Sequence, residues 1–151
     1  MTMPAHAQAP AFDDRPVLAR APLRAGHLRD DLSRVGDRSW DLGPAVFREN
    51  ARRCHVTVHF DVLEHADVQA AMRAYLYARL NVDLPGSRAK LPPASIRQAF
   101  NRARRFFAFA REQLGRLDLG RIDQALIDDY ARPLRDDPAR SPVIVGQLLQ
   151  V

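Results

Sequence analysis

Apolar positions fall into three patterns along the chain. From Asp67 to Leu80, Val68, Ala71, Met72, Tyr75, Leu76 and Leu80 recur at three- and four-residue spacings, which predicts an amphipathic helix. A second helical stripe begins at Pro93 and ends before Gly115. At about 100° per residue, Ile96, Ala99, Phe100, Ala103, Phe106, Phe107, Ala110 and Leu114 share one arc, which predicts a core-facing surface. Proline suits the first turn of that helix and glycine its C-terminal end. A third helix is expected from Asp123 to Leu134, burying Ile122, Leu126, Ile127 and Tyr130, with Pro133 weakening its end. Ser141 and Pro142 are suited to open a fourth, running through Ile144, Leu148 and Leu149. The stripe reaches Val151 without a capping signal, so a truncation at this end is expected.

The second pattern is strict alternation over Cys54–Val62. Cys54, Val56, Val58, Phe60 and Val62 alternate with His55, Thr57, His59 and Asp61, the period of a half-buried strand. A strand needs a partner, and Val143–Val145 is the other β-branched run. The third pattern is the lack of one. Residues 1–44 place Pro4, Pro10, Pro16, Pro22 and Pro44 among Ala, Asp and Arg, so a mostly flexible arm is expected. Within it, Leu28–Val35 is a candidate short helix, and Trp40 and Leu42 are candidates to dock on the folded part. A short helix opened by Pro44 is expected over 44–53. Three regions follow: the arm (1–44), a linking segment (45–66) with a short strand at 54–62, and a helical domain (67–151). The fold class is mainly α.

Charge sharpens the picture at one place. The chain of 151 residues carries a net charge of +5. Residues 94–117 hold six arginines against Glu112 alone, a local charge of +5, whereas residues 118–151 are net negative at −2. A merely solvated helix face usually mixes signs, so this surplus favours an anionic partner. Arg97, Arg104 and Arg111, seven apart, form one row at the edge of the apolar arc. Asn101 and Ala108 lie beside the row, Arg105 faces away from the core, and Arg102 flanks the arc's other side. Arginine forks suit phosphates and guanine, and asparagine suits adenine. Phe109 lies off the arc and is the aromatic with most chance of exposure, although packing suits it better.

Other chemistry is thin. Cys54 is the sole cysteine, which fits a reducing, cytoplasmic setting and excludes an internal disulfide. Cys54, His55, His59 and His65 make a poor metal set, because alternation splits Cys54 from the histidines. Cys54 has no orienting third group that would make it a nucleophile. The pairs Asp128–Asp129 and Asp136–Asp137 suit solvation or balance against Arg132 and Arg135. No cofactor is implied, and there is no Gly-rich phosphate loop. The N-terminal sequence lacks a secretory pattern, and no apolar run approaches the roughly 18 residues of a membrane span.

The order of elements from Asp67 on, with Ser95-Ile-Arg-Gln-Ala-Phe-Asn-Arg-Ala-Arg-Arg-Phe-Phe-Ala-Phe and Leu119-Gly-Arg-Ile-Asp-Gln-Ala-Leu-Ile, resembles the N-terminal core-binding domain of tyrosine recombinases, the phage-integrase family. The resemblance covers roughly residues 65–151 and is diffuse. It implies a small orthogonal four-helix bundle of SAM type, half of a clamp on double-stranded DNA, acting in integration and recombination with further recombinase protomers as partners. It also implies that the second and fourth helices face the major groove. The corresponding contacts here are Arg97, Asn101, Arg104, Arg105 and Arg111, with Gln147 and Gln150 from the fourth helix. The family's catalytic arginine–lysine–histidine–arginine cluster and tyrosine nucleophile have no counterpart here, since Tyr75, Tyr77 and Tyr130 lie in helices of the binding half. The chain is therefore expected to bind DNA without cleaving it, and to take neither a small-molecule substrate nor a membrane. Two alternatives stay open: a helix-turn-helix transcriptional regulator using the third and fourth helices, and a helical interaction module whose arginines only solvate it.

Overall fold

The arc of Ile96, Ala99, Phe100, Ala103, Phe106, Phe107 and Ala110 is buried along its whole length, and the fold is built around it. In a computed structural model describing residues 11–83 and 89–139, the chain is mainly helical with a small antiparallel sheet. In chain order the elements are β1 (Ser39–Asp41), α1 (Arg53–Val56), β2 (Thr57–His59), α2 (Ala66–Asn81), α3 (Ile96–Leu114) and α4 (Gln124–Asp136). A 3-10 turn, Pro93–Ser95, feeds α3, and Gly115 closes it at φ 75°, a conformation that glycine adopts without steric cost. Val68, Ala71, Met72, Leu76 and Leu80 of α2 are buried, and α2 packs against α3. The alanines of α3 leave room for this approach, and Tyr75 sets its ring edge-on to Phe107 at 5.8 Å.

The strand expected over 54–62 is shorter, and its N-terminal part is a helical turn. β2 pairs with β1 in the register Ser39↔His59, Trp40↔Val58, Asp41↔Thr57, a partner the alternation did not point to, and Val143–Val145 lies outside the described residues. Val56, Val58 and Phe60 point inward as the alternation requires, but Cys54 is exposed and Val62 is 54% exposed. The partner strand is three residues long, and one backbone bond flanks it at each end, Leu42 N–H to the Val56 carbonyl at 2.9 Å and Phe60 N–H to the Arg38 carbonyl at 3.0 Å. Trp40 is fully buried: its indole N–H donates to the Val35 carbonyl at 3.1 Å and its ring meets Phe60 edge-on at 4.8 Å. Phe60 in turn meets Phe100 at 5.9 Å, so an aromatic chain ties the strand pair to α3.

The flexible arm expected over 1–44 is corrected for residues 11–44. Val17, Leu18, Leu32, Val35, Trp40 and Leu42 are buried, and the core cluster runs without a break from Val17 to Leu126. The core thus crosses both boundaries expected at 44 and 66. The segment is irregular in secondary structure, with 3-10 turns at Phe12–Asp14 and Arg29–Asp31 and no α-helix at Leu28–Val35. It is held by scattered hydrogen bonds. The Val17 N–H donates to Ser33 at 2.9 Å, the Val35 N–H to Arg15 at 3.0 Å, and the buried Asn81 amide to the Val17 carbonyl at 2.9 Å. Arg29 donates to the carbonyls of Leu18 and Ala21. Polar partners of this kind satisfy a buried backbone without regular structure, which hydrophobic periodicity does not register.

Smaller differences follow the same logic. Pro44 opens only the 3-10 turn Gly43–Ala45, and no helix spans 44–53. α4 runs past Pro133 to Asp136. Its N-cap, Asp123, accepts the Leu126 N–H at 2.9 Å. Leu126 is buried as expected, whereas Ile127 is 39% exposed. The helix expected from Ser141, with Gln147 and Gln150, lies outside the described residues. Among the described residues no helix is long and apolar enough to cross a membrane.

Candidate nucleic-acid interface

Folding gives the arginine row of α3 an opposite wall. The segment Cys54–His65 runs beside the edge of the apolar arc, and two clefts lie between them. One, of about 230 Å³, brings Arg97, Asn101 and Arg104 together with Cys54, Thr57 and His59. The next, of about 320 Å³, is lined by Glu64, His65, Arg104, Ala108, Arg111 and Glu112. Val62 and Arg104 border both, so the clefts form one groove along α3. Its Arg97 end is basic, and exposed Arg52 and Arg53 lie beside Cys54 at the chain's entry to this wall. Its Arg111 end mixes signs, with Glu64 and Glu112.

The expected contact residues fall into distinct environments. Asn101, Arg104 and Arg105 are exposed, and Arg104 and Arg105 have neither a hydrogen bond nor an ion pair among the described residues. Arg97 is half-buried, with its guanidinium donating to the Cys54 carbonyl. That bond anchors the wall to α3 and leaves the charge uncancelled, since a carbonyl carries none.

Arg111 is different. Its Nε lies 3.3 Å from the Asp67 carboxylate, with side-chain exposures of 31% and 13% for the two residues. The same carboxylate accepts the Leu117 N–H at 2.7 Å. The Leu117 bond first, and the Arg111 guanidinium after it, hold the Asp67 carboxyl below its ordinary range against the opposing effect of burial. Asp67 therefore clasps α3 and the turn after it to the first turn of α2, and the charge of Arg111 is already balanced.

The rings of α3 face inward or sideways. Phe106 and Phe109 both lie against Tyr130 of α4, at 5.2 and 5.4 Å. Phe109 is half-buried there, so α3 has no ring turned fully outward for stacking on bases. The exposed surface of α4 mixes signs: Arg132 pairs with Asp129 at 2.9 Å, next to Asp128 and Arg135.

Two arginines that sequence reading did not connect meet on the far flank of α3. Arg79 of α2 and Arg102 of α3 line a cleft of about 390 Å³ with Ser95 and Gln98. The wheel placed Arg102 on that flank. Finding Arg79 opposite required the α2–α3 packing, which no single-helix pattern contains. Comparison of the chain with protein-family models, with curated proteins and with solved structures gives no match in any of the three. The chemistry of these surfaces is therefore the ground for a functional reading.

Proposed function

We propose that this chain binds double-stranded DNA as the core-binding part of a tyrosine-type site-specific recombinase, in integration or recombination, and supplies no catalytic group to strand cleavage. In this reading α2, α3, α4 and the segment beginning at Ser141 form the small orthogonal four-helix bundle of that family, and other recombinase protomers are its partners on DNA. The observation that carries the proposal is the unbalanced charge of α3. Arg104 and Arg105 stand exposed without a carboxylate partner among the described residues, in a stretch of six arginines and one glutamate. A guanidinium in water gains little from folding, whereas one placed on a phosphate releases condensed counterions. Arg97 and Arg104 suit phosphate or guanine contact, Asn101 suits adenine, and Ala108 lets the duplex approach. The mixed-sign face of α4 suits a recognition helix less well, which ranks the helix-turn-helix alternative lower.

The test is fluorescence anisotropy on a short mixed-sequence duplex at salt concentrations from about 50 to 200 mM. Replacing Arg97, Arg104 and Arg105 with Gln is expected to flatten the slope of log affinity against log salt by about 2 to 3, at roughly 0.9 per lost phosphate contact. An unchanged slope in a folded variant would overturn the proposal and leave the arginines as solvating groups.

A further inference from the structure

The cleft on the other flank of α3 is built for an anion. Arg79 and Arg102 line it with the hydroxyl-bearing Ser95 and the amide-bearing Gln98. The Arg79 Nε is shut off from solvent and has no hydrogen-bond partner, an uncompensated donor of a kind that proteins rarely leave. Arg102 is half-buried and makes no hydrogen bond or ion pair among the described residues. No carboxylate lines the cleft among those residues, and the sequence of residues 84–88 contains no acid and one arginine. The neighbouring Asp83 is engaged elsewhere, by Lys90 at 2.8 Å and Arg20 at 3.2 Å. Those two cations, Lys90 first, hold its carboxyl below the ordinary range. Two arginines thus line one cleft without a carboxylate among the described residues to balance them, a charge that an entering anion would offset.

Geometry indicates which anion. Arg102 and Arg104 are two residues apart, so they lie about 160° apart around α3. The outward face between them carries Gln98, Asn101, Arg105, Ala108 and Glu112. An α-helix with its side chains is about 10–12 Å across, and the major groove of B-DNA is about 12 Å wide. A helix seated in that groove with Asn101 and Arg105 towards the bases turns each flank to a different strand.

We infer that Arg79 and Arg102, with Ser95 and Gln98, form a phosphate-binding site for one DNA strand, while Arg97 and Arg104 take the phosphates of the other. The inference rests on the proposed DNA binding and adds a second, independent contact surface to it.

The experiment is the same salt titration on three variants: Arg79→Gln/Arg102→Gln, Arg97→Gln/Arg104→Gln, and all four changes together. One phosphate held by two arginines predicts a slope flatter by about 1 for the first, about 2 for the second and about 3 for the third. If only the Arg97/Arg104 variant flattens the slope, the second site is refuted and DNA binding by the first flank stands. If neither does, the DNA reading itself fails. Should the Arg79 change impair folding, as circular dichroism would show, Arg102→Gln alone must still flatten the slope. A parallel titration with inorganic phosphate, read on the arginine Nε–H resonances, separates the two sources of the anion. Shifts at Arg79 and Arg102 with no change in the DNA slope would assign the cleft to a free phosphate and overturn the strand assignment.

Discussion

Leu18→Ala tests whether the N-terminal third belongs to the folded body. Leu18 is 1% exposed and sits in the same core cluster as α2 and α3. The substitution removes three carbons, worth about 2.4 kcal/mol of transfer free energy at roughly 0.8 kcal/mol per methylene. The cavity left behind adds to this, and buried Leu→Ala changes span about 2–5 kcal/mol. The Leu18 carbonyl that accepts Arg29 is backbone and survives the change, so the loss is one of packing. A destabilisation of about 3 kcal/mol, with an m value of about 1.5 kcal/mol/M, lowers the urea midpoint by roughly 2 M. Trp40 is the only tryptophan, fully buried, and its emission follows unfolding directly. A shift below about 0.5 kcal/mol, the range of an ordinary surface change, would refute the packing and restore a detached arm.

Three further outcomes are expected. Asp67→Asn should lower the urea midpoint most clearly at neutral pH. The folded-state carboxyl is held below its ordinary value, so its stabilisation is complete above that value and fades as pH falls through the folded one; a gap between wild type and variant that ignores pH from 7 to about 3 would contradict this. Gly115→Ala should cost about 1 kcal/mol and roughly 3 °C of Tm by calorimetry, because φ is 75° while no atom crowds the new Cβ. An unchanged Tm would mean that α3 does not end there. Asp123→Ala should cost about 0.5–2 kcal/mol by removing the cap on the Leu126 N–H, with amide exchange rising first in the opening turn of α4; unaltered exchange in that turn would count against the cap.

The long helices were legible because each buries a regular stripe. In α3 the seven buried positions are all among the eight that a 100° wheel selects, Leu114 at the helix end being only half-buried, and Gly115 ends the helix where a positive φ is needed. The strand was legible in direction and face at Val56, Val58 and Phe60, but its length depends on a partner that alternation does not reveal. The N-terminal segment was not legible as core. Val17, Leu18, Leu32 and Val35 follow no period, and their burial depends on long-range bonds to Asn81 and Ser33. At the candidate interface, the wheel placed Arg97, Arg104 and Arg111 in one row. Only tertiary packing separates exposed Arg104 from Arg111, which Asp67 engages across 44 residues of sequence. The same limit applies to Arg79, whose place opposite Arg102 is set by how α2 lies on α3.

The bond from Asn81 to Val17 spans 64 residues. During synthesis Val17 and Leu18 leave the ribosome well before α2 and α3, the surfaces that bury them. At about 5–20 residues per second, the interval between Val17 and Asn81 is roughly 3–13 s. Val17 and Leu18 therefore wait, in a proline-punctuated segment, until the residues that bury them emerge. They cannot reach their native burial until α2 and α3, made later, are available to cover them.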